Sequence, residues 1–151
     1  WEIILKYDMM EEVSKMKTRS EAREAIIKIL YKIAILNDAK VEDEIDNVIQ
    51  EVCPISNDFV TNTVHEIVNN KDALDQLANN YMIDWEIKRL NKVDQAIFRL
   101  GIYELVYTDT PSVVAINEAI ELSKKYSDTA ITKMLNGVLD QIYHNEDISH
   151  E

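Results

Sequence analysis

The scarcity of glycine and proline is the feature of this sequence that most restricts its fold. The chain of 151 residues contains only two of each, which leaves too little turn chemistry for a protein built of β-hairpins. Alanine, leucine, isoleucine, glutamate and lysine dominate the composition instead, and most of them favour helices. We therefore predict an all-α protein. Its length suits a single domain with one hydrophobic core.

Apolar residues recur at intervals of three and four along most of the chain, which is the pattern of a helix with one buried face. The clearest stripe runs from Arg19 to Leu36, and further helical segments follow it as far as Tyr143, about seven helices in all. Asn91 precedes one long stripe and can cap that helix. The caps that suit two other helices are Ser56, Asn57 or Asp58, and Asp128 or Thr129.

Both glycines, Gly101 and Gly137, fall inside predicted helices. A glycine in a helix costs roughly 1 kcal/mol relative to alanine, so some other interaction should offset it. We predict that each glycine faces a neighbouring helix at close range. A functional surface role is the alternative.

The pattern divides the chain into three parts. Residues 17–143 form the predicted helical domain, the order of residues 1–16 is left open, and residues 144–151 read as a polar tail. The chain has no run of about 18 apolar residues, and it begins with acids where a signal peptide carries basic residues. We expect no contact with a membrane and a cytoplasmic location. The single cysteine, Cys53, fits a reducing compartment.

Catalytic chemistry is hard to place in this sequence. The three histidines include no pair at the spacing that sets two metal ligands on one helical face. Two isolated glycines cannot build a phosphate-binding loop, and a buried or capping role suits Cys53 better than a reactive one. We predict that the chain is not an enzyme and needs no cofactor or metal.

The charge of the chain is unevenly distributed. Its net charge is −12, yet the six basic and two acidic residues from Lys15 to Lys32 give that segment +4, which leaves −16 on the rest. An acidic body repels polyanions at long range and suits a basic partner. The sequence thus suggests one basic site for an acidic ligand on an otherwise acidic protein.

Three residues of the first helix suit single-stranded RNA. Arg19 and Arg23 are four residues apart and therefore project from the same edge of the helix, and Tyr31 follows two turns later. Guanidinium groups pair with phosphates and stack on bases, and a tyrosine ring offers a stacking surface. Arginines at the border of an apolar stripe are more often ordinary surface residues, so both readings stay open at this point.

Three segments, in this order, resemble the NusB family of transcription antitermination factors. They extend from about Arg19 to Tyr143. Their sequences are RSEAREAIIKILY at 19–31, WEIKRLNKVDQAIFRLGIYEL at 85–105, and PSVVAINEAIELSKKY at 111–126 followed by KMLNGVLD at 133–140.

The resemblance implies a fold of two packed helical subdomains and a role in bacterial transcription antitermination. Family members bind the boxA element of ribosomal RNA leader transcripts together with the ribosomal protein NusE, in a complex with RNA polymerase and other Nus factors. Some members are dimers, so a homodimer also stays open.

The family's RNA surface combines the first helix with the start of the last helix. The resemblance therefore assigns RNA binding to Arg19, Arg23, Tyr31, Lys133 and Met134. We expect Arg19, Arg23 and Lys133 to converge on one patch. Asp94 matches an acidic position of the NusE surface, and we expect it to be exposed.

This sequence departs from the family pattern at the RNA surface. Ser20 and Glu21 interrupt the arginine run, and Met134 stands where an aromatic residue is common. A lost base stack costs about 1–3 kcal/mol, so RNA affinity should fall. The alternative function is therefore a protein-interaction module with little RNA affinity. An enzyme is a third hypothesis, because NusB-like domains also precede an rRNA methyltransferase domain, but only about eight residues follow Tyr143.

Overall fold

The computed structural model describes residues 18–148, and this part of the chain is helical with no strand. The predicted all-α class is confirmed. One 3-10 helix, Ile87–Arg89, lies between the fourth and fifth of seven α-helices. These are α1 Arg19–Asp38, α2 Ile45–Val52, α3 Asp58–Asn69, α4 Lys71–Tyr81, α5 Lys92–Tyr107, α6 Ser112–Tyr126 and α7 Thr129–Asn145.

Local side-chain caps begin several of these helices. The Asn91 carboxamide oxygen accepts a hydrogen bond from the Asp94 amide at 2.8 Å, and Asp128 accepts one from Ile131 at 2.9 Å. Asn57 caps α3 in the same way. Each cap satisfies a backbone N–H that the first turn of a helix leaves unpaired. The predicted caps at Asn57, Asn91 and Asp128 are confirmed.

The helices pack in two groups that share one core. Helices α2 and α3 lie against α1, whereas α4, α6 and α7 surround α5. Eleven of the sixteen residues of α5 are buried, and α5 also packs along α1. This central helix therefore joins the two groups, and a single cluster of buried apolar side chains runs through both.

The two glycines occupy opposite environments. A Cβ atom on Gly101 would lie 3.0 Å from the Cβ of Ala119, so the absence of a side chain lets α5 and α6 approach closely. That prediction is confirmed. The prediction for Gly137 is wrong, because this residue is exposed and a Cβ there would meet no atom within 4 Å. It lies on a face of α7 that no other helix covers.

The end of the described chain contacts the rest of the domain. Helix α7 continues to Asn145, the Tyr81 hydroxyl donates a hydrogen bond to Glu146 at 2.6 Å, and Ile148 packs against the core. The predicted extension 1–16 lies outside the described residues. Within residues 18–148, no helix is long and apolar enough to cross a membrane.

Candidate nucleic-acid and protein interfaces

Arg23, which the sequence assigned to the RNA surface, is buried. Only 4% of it is exposed, and its guanidinium donates two hydrogen bonds to the Glu104 carboxylate, from Nε at 2.6 Å and from Nη2 at 2.8 Å. Burial alone would lower the pKa of Arg23, but the hydrogen bonds and the charges of Glu104 and Glu118 outweigh burial and raise it. Arg23 therefore joins α1 to α5, and its expected accessibility to RNA is corrected.

Of these two arginines of α1, Arg19 is the one exposed to solvent. It begins α1, and its guanidinium carbon lies 4.0 Å above the centre of the Phe59 ring on α3. Arg23 reaches the same ring from 5.6 Å. A guanidinium stacked on an aromatic ring keeps its outer face and its charge available. The spacing of four did place both arginines on one edge, but only Arg19 remains accessible there.

Tyr31 is accessible as expected. Its ring is 42% exposed, and Ile35, one turn further along α1, is equally exposed. With a rise of 1.5 Å per residue, Tyr31 lies about 18 Å along the helix axis from Arg19. The two residues therefore lie at separate positions along one helix.

Lys133 and Met134 line a groove between α7 and the end of α4, which we call the α4/α7 groove. Its other main lining residues are Asn80, Tyr81, Met82, Ile83, Gly137, Val138, Asp140 and Gln141. Residues of α1 do not line this groove, and Arg19 lies against α3 instead. Of the three residues expected to form one patch, Arg19, Arg23 and Lys133, Arg23 is buried and leaves the accessible surface. Helix α7 packs on α4, α5 and α6, whereas α1 packs on α2, α3 and α5.

Asp94 is buried, so the expectation that it lies on an exposed acidic surface is wrong. It is 4% exposed, and the Ser127 hydroxyl donates a hydrogen bond to its carboxylate. Burial raises the pKa of Asp94; the hydrogen bond from Ser127 opposes this rise, and the nearby charge of Asp128 adds to it. Asp94 thus ties the start of α5 to the junction of α6 and α7.

A second groove, between α1 and α6, is acidic. Four glutamates and two lysines line it beside Ser20, namely Glu21, Glu24, Glu118, Glu121, Lys124 and Lys125. Lys125 donates a hydrogen bond to Glu24 at 2.6 Å, and the Tyr126 hydroxyl also donates to this carboxylate. The basic residues of α6 are therefore partly neutralised, and the acidic groove adjoins the start of α1 where Arg19 lies.

One aromatic and basic pair was missed in the sequence. The Arg89 guanidinium lies 4.0 Å above the Trp85 ring, on the segment between α4 and α5 that also carries Ile83, 87% exposed. The spacing of four residues was visible in the sequence, but nothing in the sequence indicated that these two side chains stack. Among residues 18–148, no group of three or more acidic, histidine or cysteine side chains is arranged to hold a metal ion.

Comparison with known proteins decides the family. The model of the NusB family matches residues 20–144, which is well over half of the chain. The chain belongs to the NusB family.

Relatives in the NusB family match nearly their whole length. The transcription antitermination protein NusB of Macrococcus caseolyticus is 37% identical over 130 residues, covering 85% of this chain and 98% of that protein. The protein of the same name from Bacillus subtilis is 37% identical over 128 residues, covering 84% of this chain and 95% of that protein.

Solved NusB structures share the fold. A structure of T. maritima NusB matches with a TM-score of 0.75 and 28% identity, over 85% of this chain and 92% of that one. A complex of the antitermination factors NusB and NusE with double-stranded RNA matches with a TM-score of 0.71 and 25% identity, over 83% and 96%. The sequence resemblance to the NusB family is thereby confirmed.

Proposed function

We propose that this chain is a transcription antitermination factor that binds boxA-type RNA together with the ribosomal protein NusE. The observation that carries the proposal is the match, over 83% of the chain, to a NusB that is bound to NusE and RNA. Through these two ligands the chain joins other Nus factors at RNA polymerase, in the cytoplasm. It acts as an adaptor and carries out no reaction of its own.

RNA binding rests on the accessible members of the predicted set. Arg19 supplies a charge held in position by Phe59, and Tyr31 offers an exposed ring on the same helix. Lys133 and Met134 contribute a second contact at the α4/α7 groove. Arg23 acts indirectly, because its ion pair with Glu104 fixes α1 against α5 and so fixes where Arg19 points.

Binding of NusE rests on the charge of the body. The net charge of −12 complements a basic ribosomal protein, and complementary charge mainly accelerates association. Asp94 serves this surface by positioning the junction of α6 and α7, since its own carboxylate is engaged with Ser127. The exposed Ile35 adds apolar area of the kind found at the centre of protein interfaces.

A gel-shift series tests this function. Single-stranded boxA RNA and a double-stranded RNA of equal length are titrated with the chain, each with and without NusE, at several salt concentrations. We expect a weak complex with single-stranded boxA alone and a tighter ternary complex with NusE. Absence of any RNA complex, with NusE present and binding the chain, would contradict the proposal.

A protein-only adaptor is the second candidate, and two observations favour it. Arg23 is not available to phosphate, and the groove beside the start of α1 is lined by four glutamates against two lysines. Both features reduce the attraction of RNA to this end of the molecule. The same gel-shift series separates the candidates, because the protein-only adaptor binds NusE and leaves RNA free in every lane.

A further inference from the structure

A narrow apolar slot opens between the second half of α1 and the end of α3, and we call it the α1/α3 slot. Its apolar lining residues are Leu30, Ile33, Ala34, Ile67 and Val68. The slot encloses about 60 Å³, far below the roughly 300–1,000 Å³ of a small-ligand site. A space of this size suits one apolar side chain, the kind of anchor with which one protein segment docks on another.

The charged residues of the α1/α3 slot are basic, although the molecule as a whole is acidic. Lys71 and Arg99 line the slot, and no carboxylate of residues 18–148 does so. Arg99 is held by Asp75 through hydrogen bonds of 2.7 and 3.0 Å. Lys71 is exposed and forms no ion pair with any residue between 18 and 148. The slot therefore suits a segment that carries carboxylates beside an apolar anchor.

Residues 1–13 of this chain have that chemistry. Their sequence is WEIILKYDMMEEV, in which eight of the thirteen residues are apolar. Four acidic residues against one lysine give the segment a charge of −3. The match to the NusB family begins only at residue 20, so this chemistry is a feature of the present chain and does not come from the matched domain.

The segment is long enough to reach the slot. Thr18 caps α1, and at a rise of 1.5 Å per residue Leu30 and Ala34 lie about 18 and 24 Å further along the helix axis. An extended chain spans about 3.3 Å per residue, so the eight residues from Thr18 back to Met10 cover about 26 Å. Met10 and the apolar residues before it are therefore within reach of the slot.

The acidic groove between α1 and α6 is closer to Thr18 but has the wrong charge for this segment. Four glutamates line it against two lysines, and one of those lysines, Lys125, already donates a hydrogen bond to Glu24. Like charges repel the segment from that groove, whereas Lys71 attracts it to the α1/α3 slot.

We propose that the α1/α3 slot binds residues 1–13 of the same chain, with one apolar side chain of the segment in the slot and its carboxylates beside Lys71. Docking covers the part of Ile33 and Val68 that the rest of the described chain leaves exposed. The inference does not depend on the proposed RNA-binding function, and each can fail without the other.

Filling the slot tests the inference in the full chain. Ala34→Leu adds a side chain that occupies the slot, and the rate of tryptic cleavage after Lys6, followed by mass spectrometry, reports whether the segment is docked. We expect slow cleavage in the unaltered chain and faster cleavage in Ala34→Leu. Ala73→Leu is the matched control, because it makes the same substitution at an exposed helical position outside the slot, and its cleavage should stay slow.

Reversing the charge beside the slot gives a second test that does not alter its packing. Lys71→Glu should accelerate cleavage after Lys6 about fivefold, the size of one exposed ion pair lost. Lys28→Glu, an equal charge change on the exposed surface of α1 outside the slot, should leave the rate unchanged. This pair decides the matter if Ala34→Leu does not fold.

Two results would overturn the inference. One is an equal cleavage rate in each variant and its control, because the slot would then have no influence on the segment. The other is a rate in the unaltered chain that falls as the protein concentration rises, which would assign the slot to the segment of a second copy. A nuclear Overhauser contact between a Val68 methyl group and a side chain of residues 1–13, lost in Ala34→Leu, would support docking directly.

Discussion

Two regions of the molecule each contain a residue whose environment is the reverse of what its type suggests. One is the junction of α1, α5 and α6, and the other is the α4/α7 groove. At the junction Arg23, a charged residue, is 4% exposed and doubly hydrogen-bonded to Glu104. At the groove Gly137, in the middle of a helix, is open to solvent. The buried charge is a structural connection, and the open glycine is a stability cost that the fold does not recover.

This difference shows where a binding residue can be found in this molecule. Residues that satisfy one another, such as Arg23 with Glu104 or Asp94 with Ser127, are already engaged inside the protein. Residues such as Arg19, Lys133 and Gly137 lie where a ligand can reach them. The binding surface is therefore defined better by what remains accessible than by residue type.

The largest expected effect comes from removing the buried arginine. Arg23→Ala leaves the Glu104 carboxylate buried without its cation, which typically costs about 3–5 kcal/mol. Urea unfolding followed by circular dichroism measures the free energy of unfolding. The matched control is Arg19→Ala, four residues earlier and exposed, which should cost less than about 1 kcal/mol. Similar losses in the free energy of unfolding for the two variants would contradict the account of Arg23 as a buried structural residue and Arg19 as an exposed one.

A smaller effect is expected at the close helix crossing. Gly101→Ala gains helix propensity of about 1 kcal/mol, but its Cβ would lie 3.0 Å from the Cβ of Ala119, which is fixed to the α6 backbone and cannot rotate away. Overpacking of this kind costs about 1–3 kcal/mol. We expect a net loss of about 1 kcal/mol in the free energy of unfolding. A gain in stability would show that α5 and α6 separate easily.

Gly137→Ala should change stability in the opposite direction. Because no atom lies within 4 Å of the added Cβ, only helix propensity acts, and the free energy of unfolding should rise by about 0.5–1 kcal/mol. The same urea titration measures it. A loss of stability would mean that the groove is closed in solution.

The smallest effects concern pH. Burial raises the pKa of Asp94 in the folded protein, so its ionised form is less favourable there than in the unfolded chain. The free energy of unfolding should therefore fall as pH rises from the unfolded pKa through the folded one. Asp94→Asn should remove this fall and leave stability at neutral pH equal or higher.

Glu24 should behave in the opposite way. Hydrogen bonds from Lys125 and Tyr126 lower the pKa of Glu24 in the folded protein. Its contribution to the free energy of unfolding is therefore present above the pKa of the unfolded chain and is lost as pH falls through the pKa of the folded protein. Glu24→Gln should be less stable than the unaltered chain at neutral pH and equal to it in acid. Unfolding titrations at several pH values measure both variants, and parallel pH curves for the two would contradict these assignments.

Features controlled by nearby residues were predictable from the sequence. The apolar periodicity gave the helices, and Asn57, Asn91 and Asp128 were recognised as caps because a cap acts on an amide three residues away. Cys53, placed before Pro54, is buried as expected and donates to the carbonyl of Ile55 at 3.3 Å.

Features controlled by distant residues were not predictable. Arg23 and Glu104 are 81 positions apart, and Asp94 and Ser127 are 33 positions apart. No local sequence pattern therefore indicates either pair. Gly101 and Gly137 have the same sequence signature, a glycine within an apolar stripe. They differ only in their packing, because α6 lies against Gly101 whereas no neighbouring atom lies close to Gly137.

The salt dependence of RNA binding tests the central claim most directly. The affinity for single-stranded boxA RNA, with NusE present, is measured at several salt concentrations for the unaltered chain, Arg19→Ala, and the control Lys71→Ala, an exposed lysine at the start of α4. One phosphate contact contributes about −0.7 to the slope of log affinity against log salt. We predict that Arg19→Ala weakens binding and flattens the slope by about this amount, while Lys71→Ala changes neither. Identical slopes and affinities for all three proteins would contradict the assignment of RNA binding to the accessible end of α1.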